Sequence, residues 1–139
     1  MKPRTLALLE RLERRTLERL VRELAESRTR QAAATASLTA HLGARASEVA
    51  KAPATAEGAG VIARYWLGSR AAERPLRDEA DRLDAEAAAL LARVTESRTE
   101  ARRYERLREG LEAAERVRAG RIEQGRLDEA ALLRAARRR

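Results

Sequence analysis

One histidine, no cysteine, 22 carboxylates and 30 basic side chains are the chemical stock of this 139-residue chain. His41 has no second histidine and no thiolate to join it in a zinc site, which needs three or four such ligands. No nucleophile–base pair accompanies it either, so His41 is expected on the flank of a helix seam or at the surface. The run Glu57-Gly58-Ala59-Gly60 is glycine-rich but lacks the Lys-Ser/Thr that a nucleotide-phosphate cradle requires. No enzymatic activity, metal, cofactor or small-molecule substrate is expected.

Recognition chemistry is left. Arg134, Arg137, Arg138 and Arg139 form a locally unbalanced basic cluster, with Arg121 and Arg126 upstream. They could steer an acidic partner into place, or they could solubilise the chain end and complement a helix C-terminal dipole. Gln124, Asp128 and Glu129 stand at i, i+4 and i+5, which puts the first two on one helical face. Tyr65 and Trp66 are two of only three aromatics. They read either as a binding hot spot or as a cap on the end of a packed helix pair. Elsewhere the charges alternate in sign: Glu10 and Arg14, Glu18 and Arg22, and Glu112 and Arg116 are i,i+4 pairs typical of a solvated helix face.

These residues must be carried by helices. Ala, Arg, Leu, Glu and Lys supply 98 of the 139 positions, while Val and Ile together supply seven and Phe none. Such a composition excludes a sheet protein and a disulfide scaffold. It predicts an all-α fold of narrow helices packed along a seam, in a single domain. No apolar run reaches the length of a signal-peptide core or a membrane span, which gives a cytoplasmic expectation.

Apolar spacing divides the chain into two long helices. In helix one, about residues 4–50, the stripe from Leu17 follows a heptad through Val21, Leu24, Arg28, Gln31, Thr35, Leu38, Leu42 and Val49. The polar middle of that stripe predicts a weak seam. Residues 51–60, with Pro53, Gly58 and Gly60, are expected to form the bend. Helix two is expected over about 61–137, with Pro75 either breaking or kinking it. Its columns are the clearest signal: Leu76, Leu83, Leu90, Ser97, Tyr104 and Leu111, beside Ala80, Ala87, Val94 and Ala101. Large residues alternating with Ala suit a close-packed antiparallel two-helix coiled-coil hairpin. Helix one is too short to cover all of helix two, so the last ~25 residues, roughly 35 Å at 1.5 Å per residue, should project as an unpaired C-terminal helix.

That projecting segment, Arg121-Ile122-Glu123-Gln124-Gly125-Arg126-Leu127-Asp128-Glu129-Ala130-Ala131, resembles the C-terminal signature of the FliJ family. FliJ proteins are small stalk proteins of the bacterial flagellar type III export apparatus, related to YscO-type injectisome stalks. Glu123, Gln124, Arg126, Leu127, Asp128 and Glu129 match the signature, and Gly125 departs from it where a basic helix-former is usual. Tyr104-Glu105-Arg106-Leu107-Arg108 is similar to the basic, leucine-containing heptad that precedes it. Tyr65-Trp66 after a glycine-containing bend is also similar.

The resemblance implies a stalk-like coiled coil whose paired terminal end docks in the hexameric export ATPase and promotes its assembly and activity. Arg121, Gln124, Arg126, Leu127, Asp128, Glu129, Arg134 and Arg137 would then meet the ATPase. By position along the chain, Tyr65, Ser69, Ala72 and Leu76 would contact the export gate, a membrane protein. Export chaperones would be further partners, and the protein would sit in the cytoplasm, peripheral to the inner-membrane apparatus. The alternative is a basic coiled-coil nucleic-acid-binding protein, since a pI near 11 is the electrostatic footprint of one. Glutamates interrupt the arginines throughout, however, so no continuous basic block or aromatic-interleaved patch is present. A membrane-surface helix ranks below both, because the stripes lack aromatic anchors opposite a Lys-rich face.

Overall fold

A computed structural model describes residues 2–139. The chain is all-α, two helices packed against each other: α1, Pro3–Lys51, and α2, Ala56–Arg137. Pro3 occupies the first helical position, where its missing amide costs nothing. The amides of Thr5 and Leu6 bond to the Lys2 carbonyl at 3.0 and 3.2 Å.

The connection is shorter than the ten residues expected, because α2 starts at Ala56 and not near Val61. Thr55 explains the early start. Its Oγ1 accepts a bond from the Gly58 amide at 3.0 Å, and its carbonyl accepts one from Ala59 at 2.9 Å, the two bonds of a helix N-cap. Gly58 and Gly60 therefore lie inside α2 rather than in the bend. Gly58 serves close approach: a Cβ there would overlap the Pro53 carbonyl oxygen. Pro75 also lies within α2, which runs unbroken past it.

The chain divides into two compact units. Glu18–Thr95 is an antiparallel helical hairpin. Its core takes Leu20, Leu24 and Ser27 from α1 and Leu83, Ala87 and Val94 from α2, with Leu76, Ala80 and Leu90 half-buried. Of the expected α1 stripe, Leu17, Leu24, Gln31 and Leu38 face the seam and the column beside them is corrected. Leu20 and Ser27 are buried and Ala34 and His41 half-buried, one residue earlier than Val21, Arg28 and Thr35, which are exposed, while Leu42 and Val49 stay half-buried. The shift buries a leucine in place of a valine and leaves the Arg28 charge in water. The small Ser27 and Ala34 let the helices approach. The Ser27 hydroxyl is fully buried without a hydrogen-bond partner among the described residues, which costs about 1–3 kcal/mol. The seam is polar in its middle, as expected: Gln31 Nε2 donates to Asp84 Oδ1, and Arg30 pairs with Glu86 at 2.8 Å.

The second unit combines Met1–Leu17 with Glu96–Arg139. Leu6 and Ala101 are its buried apolar contacts, and Ser97 is buried beside them. The Ser97 hydroxyl donates to Glu13 Oε1 at 2.7 Å. Arg108 Nε donates to Glu10 Oε2 at 2.7 Å, and its Nη1 donates to Glu112 at 2.7 Å. Beyond Glu112 every residue of α2 is exposed.

Candidate binding site on the projecting helix

Residues 113–137 continue α2 with no α1 turn beside them. A lone helix of this kind is stabilised only by its own side chains and caps. Gly110, Gly120 and Gly125 each cost about 1 kcal/mol relative to Ala, and a Cβ at any of them would meet nothing within 4 Å. Packing within the chain therefore does not require these glycines. Arg134 and Arg137 stand in the last turn, where cations offset the helix dipole.

The residues expected to meet a partner share this segment but not one face. At 100° per residue, Arg121, Gln124 and Asp128 fall on one side, with Val117 above them. The Gln124 amide donates to Asp128 Oδ1 at 3.1 Å, the i,i+4 bond that the spacing allows. Leu127 and Arg134, seven apart, lie on a second side. Arg126 and Arg137, eleven apart, lie on a third, and Glu129 on a fourth. A partner touching all eight must surround the helix. Val117, Ile122, Leu127, Leu132 and Leu133 are each more than half exposed.

Charge is divided unequally between the units. Residues 1–17 and 96–139 hold 18 basic and 11 acidic side chains, a net of +7, whereas residues 18–95 hold 12 and 11, a net of +1. Nearly all of the excess charge thus belongs to the unit that carries the projecting helix. The arginines at 134–139 are only part of it.

The other candidate surface lies near the connection, within Glu18–Thr95. Arg45 stacks its guanidinium over the Trp66 ring, 4.7 Å from the centroid, and pairs with Glu73. The Glu73 carboxylate is held between two arginines. The bond from Arg77 first, and that from Arg45 second, keep its pKa below the usual glutamate range. Val49, Pro53, Val61, Ile62 and Tyr65 line a shallow apolar notch beside this cluster. Of the four residues placed by position at an export gate, Tyr65 and Ala72 are exposed, Leu76 is half-buried and Ser69 is buried at 6 %. The Ser69 carbonyl accepts a bond from His41 Nε2 at 2.9 Å, which requires the proton on that nitrogen. His41 is a half-buried flank residue, as expected.

Two clusters escaped the sequence reading: Arg45 with Trp66 and Glu73, and Glu10 with Arg108. Each joins residues on different helices, so only the level at which the helices face each other reveals them. Had that level been fixed from Leu24 facing the Leu83–Val94 columns, the pairs would have followed. Among the described residues no group of His, Cys, Asp or Glu could hold a metal ion, and no helix is long and apolar enough to cross a membrane. A scan against protein-family models and searches of curated proteins and of solved structures return no match.

Proposed function

We propose that this chain is a non-enzymatic interaction protein, a stalk-like component of a bacterial flagellar type III export apparatus. In this reading the bare end of α2 docks in the hexameric export ATPase and promotes its assembly and activity. The chain also contacts the membrane export gate and assists export chaperones, so it works in the cytoplasm at the inner-membrane apparatus. The observation that carries the reading is the fully exposed helix 113–137. It bears the Gln124, Arg126, Leu127, Asp128 and Glu129 run that resembles the FliJ signature. A single helix about 10–12 Å across with side chains can enter a pore, and its charged sides suit walls that surround it. Binding is tested by co-sedimentation with the export ATPase hexamer of the same organism. The full chain should bind, a chain ending at Glu115 should not, and Asp128→Arg should bind more weakly. Equal binding by all three would overturn the assignment of the contact, and no binding by the full chain would overturn the reading.

One observation favours a second reading. The +7 charge of residues 1–17 and 96–139 is the kind of field that attracts a polyanion, and it supports sequence-blind nucleic-acid binding through phosphate contacts. That reading predicts an affinity for duplex DNA that falls steeply and linearly in log K against log salt. Fluorescence anisotropy from 50 to 200 mM salt, with and without residues 116–139, measures it.

A further inference from the structure

We propose that the exposed end of α2 is a self-complementary surface on which two copies of this chain pair antiparallel. The inference is independent of the export reading. After Leu111 the seven-residue columns stop, and a period of eleven replaces them: Leu111, Ile122 and Leu133 form one row, and Ala114, Gly125 and Ala136 form the row beside it. Eleven residues are three helical turns plus about 20°, so both rows run nearly straight along the helix. Ile122 and Leu133 are 52 % and 57 % exposed, and no part of α1 faces them. Two charges interrupt this strip, also eleven apart. Arg118 and Glu129 are exposed and have no partner among the described residues.

A second copy related by a two-fold axis midway between Ile122 and Gly125 turns every mismatch into a match. Ile122 meets Gly125 of the other copy, Ala114 meets Leu133, and Leu111 meets Ala136, so each large side chain faces a small one. Arg118 then stands opposite Glu129, and the two-fold supplies that ion pair twice, as an isologous interface must. Parallel pairing in register would set Arg118 against Arg118 and Glu129 against Glu129, which charge repulsion disfavours. Gly125 gains a use as well. Its Cβ position is open in the chain's own fold, and the missing side chain leaves room for Ile122 of the second copy. The strip lies about a quarter of a turn from the Arg121, Gln124 and Asp128 side. On the export reading alone, pairing would also hold the helix out of a narrow pore and make the dimer a storage state.

Sedimentation equilibrium on the full chain tests this. The expected result is a dimer of twice the 15.5 kDa chain mass at micromolar concentration. Arg118→Glu alone and Glu129→Arg alone should each weaken the dimer by about 10-fold or more, because each sets like charges together twice. The double variant should restore affinity to within about 3-fold, the coupling expected of a direct pair. Gly125→Leu should also weaken the dimer, although leucine is the better helix former. Arg118 and Glu129 are exposed and make no hydrogen bond or ion pair in the chain's own fold, so unchanged circular dichroism certifies the variants. A monomer up to about 100 µM, a dimer that survives removal of residues 116–139, or charge reversals without rescue would each overturn the proposal.

Discussion

Arg108 closes on Glu10 from 98 positions away, Nε to Oε2 at 2.7 Å, and covers a carboxylate whose side chain is only 8 % exposed. Arg14 takes the other Glu10 oxygen at 2.7 Å, and Glu112 takes the other side of the Arg108 guanidinium. This cluster is the outermost cross-helix ion pair among the described residues. Beyond it α2 has only solvent beside it. The arrangement raises the Arg108 pKa, through its bond to Glu10 first and to Glu112 second.

Breaking that cluster should cost more than breaking a surface pair. Arg108→Ala leaves Glu10 nearly buried with one partner, whereas Arg82→Ala removes only exposed same-helix contacts to Glu79 and Glu86. Thermal melts of both variants should rank Arg108→Ala clearly below Arg82→Ala, whose melt should sit within error of the parent. Equal melts would show that the Glu10 site hydrates freely.

Acid should loosen residues 18–95 partly through Glu73. Its pKa is lowered in the fold, so its stabilising contribution is fully present above the ordinary carboxylate range of about 4.3. The contribution is lost as pH falls through the lowered value. Glu73→Gln should therefore melt below the parent at pH 7, and the gap should shrink toward pH 3. A gap of the same size at both pH values would exclude the ion pairs as its source.

Two glycines in the first turns of α2 should respond oppositely to the same change. Gly60→Ala places a Cβ in open space and should stabilise the helix by about 1 kcal/mol. Gly58→Ala drives its Cβ into the Pro53 carbonyl and should destabilise the connection in spite of the same propensity gain. Relief of that overlap by straightening the connection would join α1 and α2 into one helix and give a domain-swapped dimer. Denaturant melts with mass measurement at low concentration separate these outcomes.

The bare helix should contribute almost nothing to the stability of the rest. Removing residues 116–139 should leave the melting temperature of a dilute sample unchanged. Leu83→Ala, by contrast, empties a site only 4 % exposed and should cost about 2–5 kcal/mol. A large loss on truncation would mean that the end of α2 packs somewhere.

The sequence made α2 legible because Leu83, Ala87, Leu90 and Val94 repeat a large–small pattern that suits a close helix pair and little else. It made α1 less so. Leu20 and Val21 are both apolar, and choosing between them depends on whether Ser27 or Arg28 is buried, which only the facing helix decides. Pro53 marked the connection, yet Thr55 as a cap confined it to four residues and drew both glycines into α2. The Gln124–Asp128 bond could be read from spacing. The eleven-residue rows are masked by the period of seven that precedes them, since Leu111 ends one pattern and begins the other.

If the exposed end of α2 acts on the export ATPase as proposed, ATP hydrolysis reports it. Turnover by the hexameric export ATPase of the same organism is followed alone, with the full chain, and with the chain ending at Glu115. Stimulation by the full chain and none by the shortened one is the predicted result. Equal stimulation by both would place the contact elsewhere on the molecule, and no stimulation by either would contradict the stalk function.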